Sequence, residues 1–212
     1  SLVSDGPRMH EFLHEMNQRV LAGKNLITVG EMPGVTVDEA RLYSAADREE
    51  LNMVFQFEHM GIDIAPGMGK WGLKKLSWPA LKANLARWQD GLGDAGWNSL
   101  YWDNHDQPRA VSRFGDDSAE HRENSAKTLA TILHMQKGTP YVYQGEELGM
   151  TNAGFTSIDQ YRDIESLNAY AEAVAMDVDP SVMLASLAAK GRDNARTPMQ
   201  WDASPNAGFT TG

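Results

Sequence analysis

Cysteine is absent from this sequence of 212 residues. Its absence excludes disulfide bonds, thiolate zinc sites and cysteine nucleophiles, because each of these requires a thiol. A chain without cysteine gains nothing from an oxidising environment, which favours a reducing compartment. We therefore expect a cytoplasmic protein.

Basic residues and long apolar segments are also scarce. Nineteen Lys and Arg stand against 29 Asp and Glu, which gives a formal net charge of -10. A surface of this sign repels phosphate backbones and anionic lipid headgroups, so we expect no nucleic acid and no membrane partner. No apolar run approaches the roughly 20 residues that span a bilayer. This composition is compatible with a neutral ligand.

Short buried strands alternate with apolar stripes at helical spacing, and the alternation occurs four times. The predicted strands cover residues 26–29, 53–57, 99–102 and 140–143, with a helix predicted before each. Two further helices are predicted at 158–175 and 181–189. Four helix-then-strand units predict an α/β fold with a parallel sheet and helical crossovers.

Polar clusters follow three of the four predicted strands. Glu31 follows the first strand, Asn104-His105-Asp106 follows the third, and residues 144–147 follow the fourth. Barrels of the (β/α)₈ type carry their chemistry at the C-terminal ends of several strands. The pattern therefore favours a barrel over an open sheet, and four units make half of such a barrel.

One short motif points to different chemistry. His10-Glu11-Phe12-Leu13-His14 matches the H-E-x-x-H pattern of helical zinc sites in peptidases. Glu31 lies at a suitable distance along the chain for a third ligand, but it follows a β-like segment, whereas such sites take this glutamate from a second helix. We favour two solvated histidines on a surface helix and keep zinc as the alternative.

Glu31 and Asp106 together suggest paired-carboxylate chemistry. In glycoside hydrolysis one carboxyl group protonates the leaving oxygen, while another stabilises the positive charge that develops on the sugar. An aromatic face that packs against a sugar ring would suit the same reaction. Packing in the core accounts for most of the six Trp and six Tyr, and Trp71 is the candidate exception.

Five segments carry most of this polar and aromatic pattern. They are Val29-Gly30-Glu31-Met32-Pro33-Gly34, Phe55-Gln56-Phe57-Glu58-His59, Asn104-His105-Asp106-Gln107-Pro108-Arg109, Tyr143-Gln144-Gly145-Glu146-Glu147-Leu148-Gly149-Met150-Thr151-Asn152 and Arg192-Asp193-Asn194-Ala195-Arg196-Thr197-Pro198-Met199-Gln200-Trp201. In this order they resemble the oligo-1,6-glucosidase and α-glucosidase branch of the α-amylase family. The resemblance extends over almost the whole chain.

The resemblance implies that residues 1–212 are the C-terminal half of a (β/α)₈ glycosidase catalytic domain, with strands 5 to 8 and their helices. It implies two catalytic residues, Glu31 as general acid/base and Asp106 as transition-state stabiliser. It also implies four substrate-binding residues, which are His105, Arg192, Lys70 and Glu165. Arg196 and Gln144 are expected to brace the site.

The nucleophile of the family is an aspartate that ends the fourth strand, and the resemblance places that strand ahead of residue 1. Asp5 cannot replace it, because Ser4-Asp5-Gly6-Pro7 reads as a turn that leads into a helix. We therefore expect a piece of a longer protein that is inactive by itself. Half a barrel leaves strand edges unpaired, so we also expect the piece to self-associate.

The implied activity is that of a retaining α-glucosidase that acts on short gluco-oligosaccharides without a cofactor or metal. Two alternatives in the same family stay open, a trehalose-6-phosphate hydrolase and an α-1,4-glucosidase. A third is a barrel that serves only as a binding module. Such a module would be expected to lose the acid and the His105-Asp106 pair, and both are present.

Overall fold

The computed structural model describes residues 6–67 and 69–211, so Ser4 and Asp5 of the predicted turn lie outside the described residues. The described residues form two compact units. The first contains residues 6–62, 76–100 and 136–141, and the second contains residues 63–75, 101–135 and 142–211.

The first unit holds four short parallel strands, one α-helix before the first strand and two that connect the first three strands. The strands are β1 (Val29–Glu31), β2 (Met53–Phe55), β3 (Ser99–Leu100) and β4 (Thr139–Pro140). The α-helices are α1 (Met9–Met16), α2 (Val37–Ser44) and α3 (Trp78–Leu92). A π-helical turn, Asn17–Leu21, continues α1, and 3₁₀ turns follow α2 and β2 at Ala46–Arg48 and Glu58–Gly61.

The strands pair in the order of the sequence. Val29, Gly30 and Glu31 lie opposite consecutive residues of β2, and a parallel bridge joins Val54 of β2 to Asn98, next to β3. β3 in turn pairs with β4 in parallel. The predicted parallel pairing is therefore present in the first unit, as two two-stranded sheets that this single bridge connects.

Local signals in the sequence explain where two of its helices begin. The Thr36 side chain accepts a hydrogen bond from the N–H of Glu39, and the Glu39 side chain accepts one from the N–H of Thr36, which forms a capping box at the start of α2. Ser77 caps α3, and Pro79 occupies its first turn, where proline costs no hydrogen bond.

The core of the first unit lies between α2, α3 and β2. Its fully buried members are Ala40, Tyr43, Val54, Trp88 and Leu92. The Trp88 indole N–H also donates to Glu58 Oε2 at 2.7 Å. The helical stripe predicted for α3 is thus a core face.

The strands differ in extent from the predictions. β1 begins at Val29, because Leu26 and Ile27 are exposed and the backbone N–H of Thr28 bonds to the Asn52 side chain. β2, β3 and β4 end earlier than predicted, and backbone pairing of the last stops after Tyr141 donates to the Leu100 carbonyl at 2.7 Å. Glu31 is the last residue of β1, at the strand end where it was predicted.

The second unit is mainly helical. Its α-helices are α4 (Ala110–Phe114), α5 (Arg122–His134), α6 (Ile164–Ala175) and α7 (Pro180–Lys190). Its 3₁₀ turns are Gly69–Trp71, Glu146–Leu148, Ile158–Gln160, Arg192–Arg196 and Pro205–Gly208. Among the described residues, none of the helices combines the length and the apolar character needed to traverse a bilayer.

The predicted helix at 158–175 is two elements. Tyr161 and Asp163 both have extended backbone, so the chain leaves the 3₁₀ turn before α6 starts. The Tyr161 side chain is buried with Met183 and Leu187 of α7. Tertiary packing of this aromatic ring thus overrides the helical spacing of the apolar residues.

Gly91 tests the packing between α2 and α3. A Cβ atom at this position would lie 2.4 Å from Cγ1 of Val37, so Gly91→Ala should force the helices apart. We expect a loss of about 1–3 kcal/mol in the free energy of unfolding, since overpacking outweighs the gain in helix propensity. Urea unfolding measures it. Gly61→Ala is the control, because that position has open space around it, and an equal loss in both variants would contradict the packing argument.

Candidate active site

Asp106 lies in the second unit on the loop before α4, among cationic side chains. Its Oδ1 atom is 2.8 Å from Nη2 of Arg196 and 3.5 Å from Nη1 of Arg192. Its Oδ2 atom is 3.5 Å from Nε2 of His105. The side chain of Asp106 keeps 30% of its surface exposed, so its oxygens can still accept hydrogen bonds from a ligand.

Glu165 extends this cluster to a second carboxylate. It lies in the first turn of α6, and its Oε2 atom is 2.9 Å from Nε of Arg192 and 2.5 Å from Nζ of Lys70. Arg192 therefore bridges Glu165 and Asp106. The structure brings together five of the six predicted site residues, and we call these five the Asp106 cluster: Lys70, His105, Asp106, Glu165 and Arg192.

Arg196 connects the Asp106 loop to the start of α6. Its Nε donates to the backbone carbonyl of His105 at 3.0 Å, and its Nη1 donates to Asp163 Oδ2 at 2.5 Å. With its hydrogen bond to Asp106, this side chain donates to three groups from three different nitrogens, which the forked guanidinium of arginine permits and a lysine does not. Arg196 therefore has the contacts of a bracing residue.

Two buried aspartates hold the N-terminus of α6, which carries Glu165. Asp163 is its N-cap and accepts the backbone N–H of Glu165 at 2.8 Å. Asp193 accepts the N–H groups of Arg162 and Asp163 through Oδ1 and the hydroxyl of Ser166 through Oδ2. The position of Glu165 is thus determined by hydrogen bonds on both sides of the first turn.

A buried ion triad supports the segments that carry the Asp106 cluster. Asp63 accepts two hydrogen bonds from Arg113, at 3.0 and 2.9 Å, and a third from the ammonium group of Lys190. Asp63 begins the segment that carries Lys70, Arg113 belongs to α4, and Lys190 ends α7 two residues before Arg192.

The surroundings of the triad lower the pKa values of both Asp63 and Lys190. Burial alone would raise the pKa of Asp63, but the hydrogen bonds and charges of Arg113 and Lys190 bring the pKa below its ordinary value. Burial, followed by the charge of Arg113, lowers the pKa of Lys190 to about 8, although Asp63 opposes this shift. One carboxylate therefore balances two buried cations.

Glu31, the sixth predicted site residue, belongs to the first unit. It is exposed at the C-terminal end of β1, opposite Phe55 of β2. This is the end of a parallel strand at which barrel enzymes place catalytic groups.

The two histidines of the H-E-x-x-H motif have different hydrogen-bond partners. His10 Nδ1 lies 2.7 Å from Glu50 Oε2, whereas His14 Nδ1 lies 3.0 Å from the backbone carbonyl of Arg48. The part of the chain that the structure describes contains no group of three His, Cys, Asp or Glu side chains that could hold a metal ion. Both histidines instead bind to the segment that follows α2.

The structure shows packing contacts for Trp71 and a backbone hydrogen bond for Gln144. Trp71, the candidate for sugar contact, packs on the buried group of Tyr161, Met183 and Leu187, with the Lys70 ammonium 5.1 Å from its ring centre. Gln144 contributes its backbone carbonyl, which accepts a hydrogen bond from Arg109 at 2.6 Å. Trp71 is thus a packing residue.

The sequence reasoning missed Asp63, Lys190 and Asp163. Asp163 could have been found, since Asp163-Ile164-Glu165 is a helix N-cap pattern. Asp63 and Lys190 are 127 residues apart, and nothing in the local sequence indicates that they meet.

Parallel strands joined by helices, together with carboxylates held among arginines on loops, are typical of barrel enzymes with polar substrates. The model of the family described as alpha amylase, catalytic domain, matches residues 1–212. The chain therefore belongs to the α-amylase family, and the resemblance seen in the sequence is confirmed.

Three relatives illustrate the range within this family. The chain is 61% identical to an oligo-1,6-glucosidase of Halalkalibacterium halodurans over 208 residues, and 53% identical to a trehalose-6-phosphate hydrolase of Bacillus subtilis over 213 residues. These alignments cover 98% and 100% of this chain, but only 37% and 38% of the two relatives. The crystal structure of Bacillus licheniformis trehalose-6-phosphate hydrolase superposes with a TM-score of 0.90 at 49% identity, over 98% of this chain and 37% of that one.

The Asp63 triad generates a test of stability. Asp63→Asn removes the carboxylate and leaves Arg113 and Lys190 buried without an anion, so we expect the free energy of unfolding to fall by about 3–5 kcal/mol at neutral pH. Because the pKa of Asp63 is lowered in the folded state, its contribution exists at neutral pH and is lost as the pH falls through that pKa.

Urea unfolding at neutral and acidic pH measures both effects. The control is Asp117→Asn at an exposed position, which should change the free energy by less than about 0.5 kcal/mol. Equal stability of the Asp63 and Asp117 variants would contradict the role of the triad.

Proposed function

We propose that the protein containing this chain is a retaining α-glucosidase that cleaves terminal α-glucosidic bonds of short gluco-oligosaccharides. The observation that carries the proposal is the 61% identity to an oligo-1,6-glucosidase across almost all of the chain. In this proposal β1 to β4 are strands 5 to 8 of a (β/α)₈ barrel, and residues 1–212 are the C-terminal half of its catalytic domain. The other strands belong to sequence outside residues 1–212.

In the proposed reaction Glu31 is the general acid and base. An aspartate outside residues 1–212 attacks the anomeric carbon, and the bond between this carbon and the leaving oxygen breaks as Glu31 transfers its proton to that oxygen. A water molecule then attacks the anomeric carbon of the glycosyl–enzyme ester, Glu31 takes a proton from this water, and the bond to the aspartate breaks and releases its carboxylate. The exposed position of Glu31 at the end of β1 supports this role, because a sugar oxygen can approach it.

Asp106 is the proposed stabiliser of the transition state. Its partly exposed carboxylate can accept hydrogen bonds from sugar hydroxyls and attract the positive charge that develops at the anomeric carbon. Arg192 and His105 offer donors to hydroxyl groups beside it. Two arginines keep the Asp106 oxygens oriented before the substrate binds, so less reorganisation is required during the reaction.

Lys70 and Glu165 are proposed to contact the sugar on the leaving-group side. They form an ion pair of 2.5 Å in which both side chains remain partly exposed. Such a pair offers a donor and an acceptor at adjacent positions, which suits the hydroxyls of a second glucose unit. Within the Asp106 cluster, Arg192 connects this pair to Asp106.

A trehalose-6-phosphate hydrolase is the second candidate, because the B. subtilis relative is 53% identical and the solved B. licheniformis enzyme has the same fold over this segment. An α-1,4-glucosidase is the third. A comparison of kcat/KM for isomaltose, trehalose 6-phosphate and maltose separates the three, and the first substrate should give the highest value under our proposal.

The proposal includes a cytoplasmic location, because the chain lacks cysteine, and excludes nucleic acid and membrane partners, because its net charge is -10. The substrate is a small gluco-oligosaccharide, and the proposed reaction needs no organic cofactor. The isolated chain is proposed to self-associate through the outer edges of β1 and β4.

Glu31→Gln tests the acid and base role. The experiment uses a hybrid in which residues 1–212 replace the matching segment of the H. halodurans oligo-1,6-glucosidase. We expect kcat/KM for isomaltose to fall about 100-fold or more, since amide nitrogen cannot protonate the leaving oxygen. Nitrophenyl α-glucoside, whose leaving group needs less protonation, should show a smaller loss in its first step.

The matched control for this variant is Glu15→Gln, which alters an exposed glutamate of α1. It should leave kcat/KM for isomaltose and the first step with nitrophenyl α-glucoside unchanged. Near-normal turnover of isomaltose by the Glu31 variant would exclude Glu31 as the acid.

The chain by itself should not hydrolyse nitrophenyl α-glucoside, because covalent catalysis requires the nucleophilic aspartate that residues 1–212 do not supply. Nitrophenol release is followed with the purified chain and with its Glu31→Gln variant side by side. Release that exceeds that of the variant would overturn the assignment of the nucleophile to sequence outside this segment.

A further inference from the structure

A buried carboxyl pair lies beside the loop that carries Asp106. Asp103 is only 3% exposed and occurs three residues before Asp106. Its Oδ2 atom accepts the backbone N–H of Ala110, at the start of α4, at 2.8 Å. Its own backbone N–H donates to Oε1 of Glu146 at 3.3 Å, so the Glu146 carboxyl group lies against Asp103. The function proposed above assigns no role to either residue.

The second oxygen of Asp103 has no donor. Among the groups that the structure describes, none donates a hydrogen bond to Asp103 Oδ1, although this atom is buried. A buried acceptor without a partner is costly, and native structures rarely leave one. A proton on the adjacent Glu146 carboxyl group would supply the missing donor.

The electrostatic surroundings favour that proton. Burial, followed by the hydrogen bond and charge of Asp103, raises the pKa of Glu146 to about 10. Burial also raises the pKa of Asp103, while the positive charge of Arg109 opposes the rise. Two adjacent carboxyl groups in a region of low dielectric resist double ionisation, so the pair retains one proton at neutral pH.

Arg109 completes the charge balance. It is 1% exposed, and its guanidinium donates to the backbone carbonyls of Gln144, Asn194 and Ala195, none of which carries charge. A singly protonated carboxyl pair has a charge of minus one and neutralises this cation. Gly145 allows the Arg109 guanidinium to come close to the backbone, because a Cβ atom at position 145 would lie 2.6 Å from Arg109 Nη1.

We propose that Glu146 is a positioning residue, which as a neutral carboxylic acid keeps its proton, donates a hydrogen bond to Asp103 Oδ1 and so holds the loop from 103 to 110 in place for Asp106. The loop is then anchored at Asp103 through Glu146, at Ala110 through Asp103, and at Arg109 through the three carbonyls. The role of Glu146 in catalysis rests on the proposed function, whereas the location of its proton is independent of that function.

Glu146→Gln and Glu146→Ala, made in the same hybrid enzyme, test the proposal. Glutamine is neutral and keeps both a donor for Asp103 Oδ1 and an acceptor for the Asp103 N–H, so kcat/KM for isomaltose should stay within about twofold of the wild type. Alanine removes both, and displacement of the loop should lower kcat/KM by about tenfold to a hundredfold, mainly through kcat. Glu123→Gln, which changes an exposed glutamate on the same cavity wall, is the control.

The proton itself is read out without enzyme activity. At a pH well below 10, infrared difference spectra between the wild type and Glu146→Gln should show the loss of a protonated carboxyl band, which Glu123→Gln should not show. Because the pKa of Glu146 is raised in the folded state, its contribution to stability is full at acidic pH and declines as the pH rises towards about 10. The Tm of Glu146→Gln should therefore increase relative to the wild type as the pH is raised.

The wild type and Glu146→Gln share the other titratable and charged groups around the pair, which are Arg109, Glu147, Arg122, Glu123, Lys127 and His134. The last four line, with the pair, a cavity of about 570 Å³ in the second unit. The difference in Tm between the wild type and Glu146→Gln, measured as a function of pH, therefore reports the titration of Glu146.

Three results would overturn the inference. An equal loss of kcat/KM in the Gln and Ala variants would mean that Glu146 acts as an ionised carboxylate. A lower Tm of Glu146→Ala with unchanged kcat would mean a purely structural role, and absence of the carboxyl band would exclude the shared proton. If the wild-type hybrid cleaves no substrate, the proposed function fails, and the infrared and Tm measurements still decide where the proton lies.

Discussion

The second unit depends on one buried carboxylate that serves two cations. Asp63 accepts hydrogen bonds from Arg113 and Lys190, and these three residues belong to the three segments that carry Lys70, the Asp106 loop and Arg192. A buried ion pair adds little net stability, because desolvation offsets the attraction between its charges. Its effect is geometric, since any arrangement that separates the segments leaves a charge without a partner.

The same principle extends outward from the triad to the Asp106 cluster. Arg196 connects Asp106 to the N-cap of α6, and Asp193 holds the backbone around that cap. Each carboxylate of the network faces at least one cation or several N–H groups, so its position is set before a ligand arrives. Such preorganisation is what a site for transition-state charge requires, because the dipoles need not rearrange during the reaction.

Much of the fold could be predicted from local patterns. Helix α7 begins one residue before its predicted start, and α3 precedes β3 as predicted, because Pro180 and Ser77 are strong start signals in any context. Strand lengths and the break before α6 could not be predicted, because they depend on partners remote in sequence. Tyr161 illustrates this, since its burial against α7 ends a helical pattern that the sequence alone continues.

The sequence by itself determined the parallel α/β class, the family and the identities of the polar residues that follow the strands, because periodicity, capping signals and motifs are local properties. Only the tertiary structure decided that Lys70, Glu165, Arg192 and Asp106 form one network, that Trp71 packs in a core, and that Asp63 holds the surrounding segments. Charges and aromatic rings act over a few ångströms in space. Their partners therefore depend on how the chain folds, and not on their distance along it.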